Sequence, residues 1–225
     1  MANPFRRCPF ICFRQDDLRK QVDIPKGNLY TLFNLTNPTL LVGYQYCKEV
    51  NMPRISLIHY GEAVEETKVL IENQLARNGR ITNMKLTLLH SHPAFHALME
   101  WYPLRDEVKS FATDREINLF CHAVSTQNNC LICSTFFRKL LIDSGDNPDQ
   151  PHLSEREEIL ISFGTYCVST PNGISDEFFA RLKKRFTDKQ IVDLTAFAGL
   201  MIATNLINNV LHVELDDYLE SYTKR

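Results

Sequence analysis

The sequence predicts an all-α fold, and three features carry that prediction. From Pro53 onward no stretch alternates apolar and polar residues in the way that a half-buried strand requires. Apolar residues recur instead every three to four positions, as they do on one face of a helix. Three capping boxes, in which Ser or Thr is followed three residues later by Glu or Gln, mark helix starts at Thr113, Ser154 and Thr187.

The composition describes an ordinary globular chain. Of its 225 residues 44 % are apolar and 23 % are charged, and the formal net charge is −2. A chain of this length forms one large domain or two small ones. The balanced charge provides no basic surface for nucleic acid or an anionic membrane. No apolar run approaches the ~20 residues of a membrane span. We therefore expect no nucleic-acid partner and no membrane partner.

The cysteines and the N-terminus indicate a reducing compartment. Seven scattered cysteines, an odd number, do not form the framework of a secreted disulfide-rich domain. Arg6 and Arg7 precede an apolar run that contains a proline and is too short for a signal peptide. We expect a cytoplasmic protein, in which a Cys-x-x-Cys pair is more often catalytic than structural.

The chain divides at about residue 52. Residues 1–52 show no regular pattern and are interrupted by Pro38 and Gly43, so we interpret them as an N-terminal extension. Cys8 and Cys12 lie four residues apart within it and offer a second thiol pair, although two semi-buried thiols in an arm are the simpler interpretation. Residues 53–225 form the predicted helical domain.

Three helices are expected in the first part of this domain. Their predicted ranges are 62–77, 81–90 and 94–101. Asn78-Gly79, Pro93 and Pro103 are the corresponding stop signals.

His90, His92 and His96 lie close together in this region and raise the question of a metal site. A metal ion needs its ligands on one side of the structure, yet His90 and His92 are two residues apart and straddle a predicted helix end. We predict that these histidines pack and form hydrogen bonds between helices and bind no metal.

The only Cys-x-x-Cys pair, Cys130 and Cys133, lies between a helix that begins at Asp114 and a second helix that follows it. Asn128 and Asn129 are good N-cap residues, so we expect the pair at a helix N-terminus. There the i, i+3 spacing places both sulfurs on one face, and the positive end of the helix dipole favours a thiolate. Adjacent sulfurs with a lowered thiol pKa are what dithiol–disulfide chemistry requires.

A Cys-x-x-Cys pair alone leaves two other interpretations open, unreactive thiols and a metal site. A zinc site would combine the pair with Cys121 or His122. Those two residues are adjacent on a helix and diverge by about 100°, so they cannot easily bind one ion together. We expect no metal and no other cofactor.

Three more helices follow. Ser154 precedes a helix over 159–168, Ser175 opens another, and Thr187 opens a long helix over 188–211. The long helix is apolar on most faces and must therefore be central or lie at a subunit interface. Four residues near its end form a polar stripe that we interpret as a solvated face, with a pocket or interface lining as the alternative. They are Asn205, Asn208, Asn209 and His212.

From residue 53 to about residue 222 the chain resembles the carboxymuconolactone decarboxylase–AhpD superfamily, in particular its peroxidase-related branch. The resemblance rests on MPRI at 52–55, DREINL at 114–119, VS at 124–125, NNCLIC at 128–133, FTDKQIVDL at 186–194, and Asn205. It implies an all-helical, AhpD-like fold and a homo-oligomer. It also implies thiol-dependent reduction of hydroperoxides or disulfides, supplied with electrons by a thiol donor. On this resemblance Cys133 attacks the peroxide and Cys130 resolves the sulfenic acid as a disulfide.

The sequence departs from this family at both positions of its proton relay. Asn118 stands where the family has a glutamate, and Phe137 stands where it has a histidine. General-base assistance is worth ~10²–10⁴-fold, so a peroxidase without it should be slow. His122, one turn beyond Asn118, is our candidate for a replacement base, with a purely hydrogen-bonded helix histidine as the alternative.

Two further functions remain as alternatives to a thiol oxidoreductase. A family member that has lost catalysis and serves as a binding or assembly protein would explain the changed relay positions. A decarboxylase-like lyase would need acid and base residues instead of thiols, and we rank it below both because the thiol pair is intact.

Overall fold

The computed structural model describes residues 52–224, and within them the predicted all-α fold is confirmed. The predicted extension over 1–52, with Cys8 and Cys12, lies outside the described residues except for Met52. Between residues 52 and 224 there are nine α-helices and no strand. The helices are α1 (Glu65–Asn78), α2 (Asn83–Leu88), α3 (His92–Met99), α4 (Trp101–Lys109), α5 (Asp114–Gln127), α6 (Leu131–Asp143), α7 (Glu155–Ser169), α8 (Asp176–Lys183) and α9 (Asp188–Leu211).

All three predicted capping boxes form. Thr113, Ser154 and Thr187 each accept the backbone N–H of the third helical residue, whose side chain in turn accepts the N–H of the cap. These contacts satisfy backbone donors that a helix start leaves without partners. They fix the first residues of α5, α7 and α9.

The stop signals were correct at Asn78-Gly79 and wrong at Pro103. Gly79 takes the left-handed conformation, with φ of +68°, directly after α1. Pro103 does not end a helix but is the third residue of α4. Proline is tolerated in a first turn because the N–H that it lacks would have no helical partner there.

Helix α9 runs through the main core. Phe197 is fully buried and stacks on Phe120 of α5 and on Trp101 of α4, with ring centroids 6.2 and 5.4 Å apart. By length and composition alone α9 could cross a membrane, yet Leu194 and Ala198 are buried among the other helices. Within the described residues α9 is therefore a core helix, as its apolar faces predicted.

The end of α9 is tied to the start of the described chain. The backbone N–H of Arg54 donates to the carbonyl of Leu211 at 2.9 Å, and its guanidinium donates to the carbonyl of Val210 at 2.7 Å. Both carbonyls belong to the last turn, which lacks helical partners. Arg54 thus caps α9 close to the residues that line the thiol site.

Helices α5 and α7 begin side by side and exchange arginines. Arg156 of α7 donates to Glu116 of α5 at 2.6 Å and to the carbonyl of Phe111 at 2.6 Å. Arg115 of α5 donates to Glu157 of α7. Each glutamate is also the capping-box residue of its own helix, so the two helix starts are joined by a crossed pair.

The electrostatics of Glu116 reflect this arrangement. Burial opposes its ionisation, but the Thr113 N–H and the Arg156 guanidinium outweigh burial and lower the pKa of Glu116. Because the folded-state pKa lies below the unfolded value of ~4.3, the contribution of the pair is complete above that pH and is lost as the pH falls through the folded-state pKa.

We predict that Arg156→Met lowers the free energy of unfolding by about 1–3 kcal/mol, because it leaves a carboxylate and a carbonyl without their donor. The loss should shrink as the pH falls through the lowered pKa of Glu116, because the carboxyl is then protonated. The matched control is Arg185→Met, since Arg185 pairs with the exposed Glu155 and should contribute less than ~1 kcal/mol. Urea unfolding at neutral and acidic pH measures both. Equal losses for the two variants would contradict the assignment.

Candidate active site

A tight connection between α5 and α6 places the two cysteines. Asn128 ends α5, Asn129 takes a left-handed conformation with φ of +52°, and the N–H of Cys130 donates to the carbonyl of Ser125 at 3.0 Å. Cys130 is itself the N-cap of α6. The prediction that Asn128 or Asn129 caps this helix was therefore wrong, because Asn129 is used for the left-handed turn that asparagine tolerates.

The predicted position of the pair at a helix N-terminus is nevertheless observed. Cys130 is the N-cap and Cys133 is the third residue of α6, so both lie where backbone N–H groups have no helical partner. These N–H groups and the positive end of the helix dipole stabilise negative charge on sulfur. Both cysteines are buried and carry free thiols.

Asn208 of α9 joins the two sulfurs. Its side-chain Nδ2 donates to Cys133 Sγ at 3.2 Å and contacts Cys130 Sγ at 3.7 Å. Asn208 is 3 % exposed and Asn205 is fully buried. The interpretation of the asparagine stripe as a solvated face was wrong for these two residues, and the pocket-lining alternative holds for Asn208.

Asn209 has a different role from Asn208. It is exposed and donates to the carbonyl of Asn128 at 3.0 Å. It therefore connects α9 to the α5–α6 turn without contacting a sulfur. The sequence could have separated Asn208 from Asn209 by their positions around the helix. Asn208 lies on the same face of α9 as the buried residues Leu194, Ala198 and Met201.

The two thiols differ in pKa because one of them donates a hydrogen bond to the other. The Cys133 thiol donates a hydrogen bond to Cys130 and is the largest cause that lowers the pKa of Cys130 to about 7. Burial raises the pKa of Cys130 and so opposes this effect. The backbone N–H of Cys133, the Asn208 amide and the backbone N–H of Ile132 lower the pKa of Cys130 further. The same hydrogen bond, together with burial, raises the pKa of Cys133 well above its ordinary value. The Cys130 thiolate is therefore available near neutral pH, and it accepts a hydrogen bond from the Cys133 thiol.

A largely apolar pocket of about 450 Å³ adjoins the pair. Cys133 lies in its wall, with Asn118, Phe137 and Asn208. Its volume is in the range of small-molecule sites. Of the two thiols Cys133 therefore faces the space that a substrate would occupy, and Cys130 lies behind it, 1 % exposed.

The two relay positions carry no proton acceptor. Asn118 is buried and its Oδ1 has no hydrogen-bond partner. Phe137 is buried and packs on Trp101, with ring centroids 6.4 Å apart. Among residues 52–224 no carboxylate or imidazole forms a hydrogen bond with either sulfur. The helix N-terminus and Asn208 are the groups that do contact them.

The structure does not bring His122 to the thiol pair. His122 lines a separate pocket of about 310 Å³ with residues such as Pro148 and Leu153, and it forms no hydrogen bond to Cys130 or Cys133. Burial lowers the pKa of His122, and the positive charge of Arg138 lowers it further. The placement supports the alternative of a helix histidine outside the site.

Two cations near the pair are engaged elsewhere. Arg138 forms a bidentate pair with Asp149 at 2.9 and 2.6 Å. Lys139 pairs with Asp143. Neither is needed to explain the lowered pKa of Cys130.

Two of the three histidines near α3 form hydrogen bonds, and the bond of His92 joins two helices as predicted; the third, His96, is exposed. His92 Nε2 lies 2.7 Å from Thr67 Oγ1, and His90 Nε2 lies 2.8 Å from the carbonyl of Ser56. Cys121 is fully buried, which raises the pKa of its thiol. In the described part of the chain no three His, Cys, Asp or Glu side chains are placed to hold a metal ion.

Solved structures share this fold. A peroxidase-related AhpD-core protein from Ralstonia eutropha JMP134 is 19 % identical, with a TM-score of 0.61 over 74 % of this chain and 94 % of that one. A peroxidase-related protein from Silicibacter sp. TM1040 is 15 % identical, with a TM-score of 0.62 over 74 % and 93 %. The debrominase Bmp8 is 13 % identical, with a TM-score of 0.60 over 75 % and 95 %.

These neighbours confirm the predicted resemblance at the level of the fold, which is that of AhpD-core, peroxidase-related proteins. No protein-family model matches the sequence, and no curated protein matches it either. At identities this low the likeness defines architecture and does not assign chemistry.

We predict that Asn208→Leu raises the pKa of the thiol pair by about one unit from its value near 7, because a hydrogen bond to a charged sulfur is lost. Asn209→Leu is the matched control and should leave the pKa unchanged, since Asn209 contacts only a carbonyl. Thiolate absorbance against pH, taken as the difference from Cys130→Ser, measures the shift. An unchanged titration in Asn208→Leu would show that the amide does not stabilise the thiolate.

Proposed function

We propose that this protein is a thiol oxidoreductase that reduces a hydroperoxide or a disulfide with Cys130 and Cys133. The observation that carries the proposal is the thiol pair itself, held at a helix N-terminus by Asn208, with one low pKa and one thiol in the wall of a pocket. An unreactive structural pair requires neither the pocket nor the lowered pKa.

The Cys130 thiolate, which the lowered pKa makes available near neutral pH, acts as the base that the relay positions lack. The Cys130 thiolate takes the proton from Cys133, whose thiolate then attacks the terminal oxygen of a hydroperoxide, ROOH. The S–O bond forms as the O–O bond breaks, giving the Cys133 sulfenic acid and RO⁻. Cys130 returns the proton to RO⁻, and ROH leaves.

The second half of the reaction closes the disulfide. The Cys130 thiolate attacks the Cys133 sulfur and expels hydroxide, which becomes water by taking a proton from solvent. The two sulfurs have then lost two electrons and the peroxide has gained two. An external thiol donor must reduce the disulfide for turnover, and such donors are abundant in the reducing cytoplasm that we propose as the compartment.

A second candidate is an AhpD-like assembly protein without catalysis. Phe137 fills its relay position by packing on Trp101, which is the outcome expected if catalytic selection has been lost. This candidate predicts that the thiols do not turn over. It is compatible with the same oligomer.

We propose a homo-oligomer that associates through α9. Val192, Leu206 and Val210 are 65 %, 59 % and 47 % exposed on this helix. They recur at helical spacing and so form one apolar strip with the exposed Gly199 between them. An apolar strip of this kind is typical of a surface that a second copy covers.

We predict that Cys133→Ser abolishes hydroperoxide turnover and that Cys130→Ser leaves a trapped sulfenic acid or mixed disulfide at Cys133. Restoring the family relay with Asn118→Glu and Phe137→His together should raise the rate by up to ~10²-fold. Stopped-flow kinetics with a dithiol reductant measures all three, and His122→Ala is the control that should leave the rate unchanged. Full turnover in Cys133→Ser would overturn the assignment.

We predict that light scattering at micromolar concentration gives the mass of a homo-oligomer. Leu206→Glu should dissociate it, because a charge in an apolar interface loses its hydration without gaining a partner. Phe179→Glu, at an exposed position on α8, is the matched control and should not dissociate it. A monomeric mass for the unmodified protein would contradict the proposal.

A further inference from the structure

The pocket beside Cys133 has an unbalanced set of charges. Its lining contains four basic side chains and one acidic side chain, Asp216. Asp216 is buried and accepts the backbone N–H of Asn83 at 2.9 Å. Arg105 and Lys139 are paired with Asp114 and Asp143. The basic charge that remains belongs to Arg80 and Lys85.

Lys85 is the unusual member of this set. It is only 5 % exposed, and its ammonium donates to two neutral acceptors, Gln74 Oε1 at 2.6 Å and Tyr102 Oη at 2.8 Å. No carboxylate lies within salt-bridge distance of it among residues 52–224. A buried cation without an anionic partner is costly, and buried charges are usually paired.

Lys85 and Tyr102 each keep one hydrogen-bond donor that has no acceptor among residues 52–224. An ammonium carries three N–H donors, and two of those of Lys85 are used. Tyr102 accepts from Lys85 and, within the described chain, donates to nothing, so its O–H is also available. Two adjacent donors match the two oxygens of a carboxylate.

The rest of the lining is apolar and aromatic. Trp101, Phe136 and Phe137 contribute aromatic surface, and Arg80 lies over the Tyr218 ring at 4.2 Å. A ligand of about 450 Å³ or less that fits this lining has an apolar body and one anionic group.

We propose that this pocket binds an amphipathic organic carboxylate, with the carboxylate on Lys85 and Tyr102 and the apolar body against Trp101 and Phe136. If the thiol pair acts as we propose above, the substrate is an organic hydroperoxide that also carries a carboxylate. Only this second statement rests on the proposed function. Lys85 and Tyr102 are binding residues, because they hold the end of the substrate that does not react.

The chain contains its own reporter for this site. Trp101 is the only tryptophan in the sequence and lies in the pocket wall, where its Nε1 donates to Met201 Sδ at 3.0 Å. Fluorescence of Trp101 in the full-length reduced protein can therefore be titrated with phenylbutyrate and with phenylbutanol, its neutral counterpart. Binding requires no turnover, so a failure of the thiol chemistry leaves this measurement intact.

We expect phenylbutyrate to bind at least tenfold more tightly than phenylbutanol, which corresponds to ~1.4 kcal/mol. Lys85→Met should abolish the preference and leave phenylbutanol binding unchanged. Tyr102→Phe, which keeps the cation and removes one donor, should reduce the preference in part. Lys109→Met removes an exposed lysine outside the pocket and should keep the full preference.

Equal affinity of the unmodified protein for the acid and the alcohol overturns the proposal, as does a preference that survives in Lys85→Met. Should Lys85→Met not fold, as circular dichroism will show, Tyr102→Phe decides: a reduced preference supports the proposal, and an unchanged preference overturns it. A kinetic comparison of a hydroperoxy fatty acid with its methyl ester then tests the reactive half. A KM that is lower for the acid in the unmodified protein, by a ratio that falls in Tyr102→Phe, supports the proposal, and equal KM values in the unmodified protein overturn it.

Discussion

The crossed arginine–glutamate pairs between α5 and α7 are the constraint on which the thiol site depends. Arg156 holds Glu116 and Arg115 holds Glu157, and each glutamate also caps its own helix. Because the start of α5 is fixed, its last turn is fixed as well, and the left-handed Asn129 follows directly from it. A helix that could slide by a residue would move both sulfurs away from Asn208.

In the function that we propose, one amide and one helix end take the place of a proton relay. The family's glutamate and histidine are absent, yet the pKa of Cys130 is lowered to about 7 by the Cys133 thiol, with help from Asn208 and backbone N–H groups. The proton that must leave Cys133 already lies in a hydrogen bond to its acceptor. On the proposed function we expect slower turnover than with a separate base, since a second thiol is a less versatile proton carrier than imidazole.

Local signals made the helix starts predictable, while tertiary contacts decided the rest. In the capping boxes at Thr113, Ser154 and Thr187 both partners lie within four consecutive residues, so they can be recognised without knowing any distant contact. Asn208 was misjudged because polar residues on an apolar helix suggest solvent, and only the neighbouring helices show that this side of α9 is covered. His122 was placed near the site from its spacing to Asn118, but α5 is covered on several sides and the two residues line different pockets. The charged and polar groups of the pocket could not be brought together from the sequence, because Arg80 and Lys85 lie close in the chain while Tyr102 and Asp216 come from distant parts of it.

The most direct test of the account is peptide mapping by mass spectrometry after reaction with one equivalent of cumene hydroperoxide. The account predicts one intramolecular disulfide between Cys130 and Cys133, formed with the release of cumyl alcohol, while Cys121 and Cys167, whose thiol pKa values are raised by burial, stay reduced. If Cys130 and Cys133 both remain open to alkylation after denaturation, under oxidant that fully oxidises a reference dithiol, the pair is structural and the central claim is wrong.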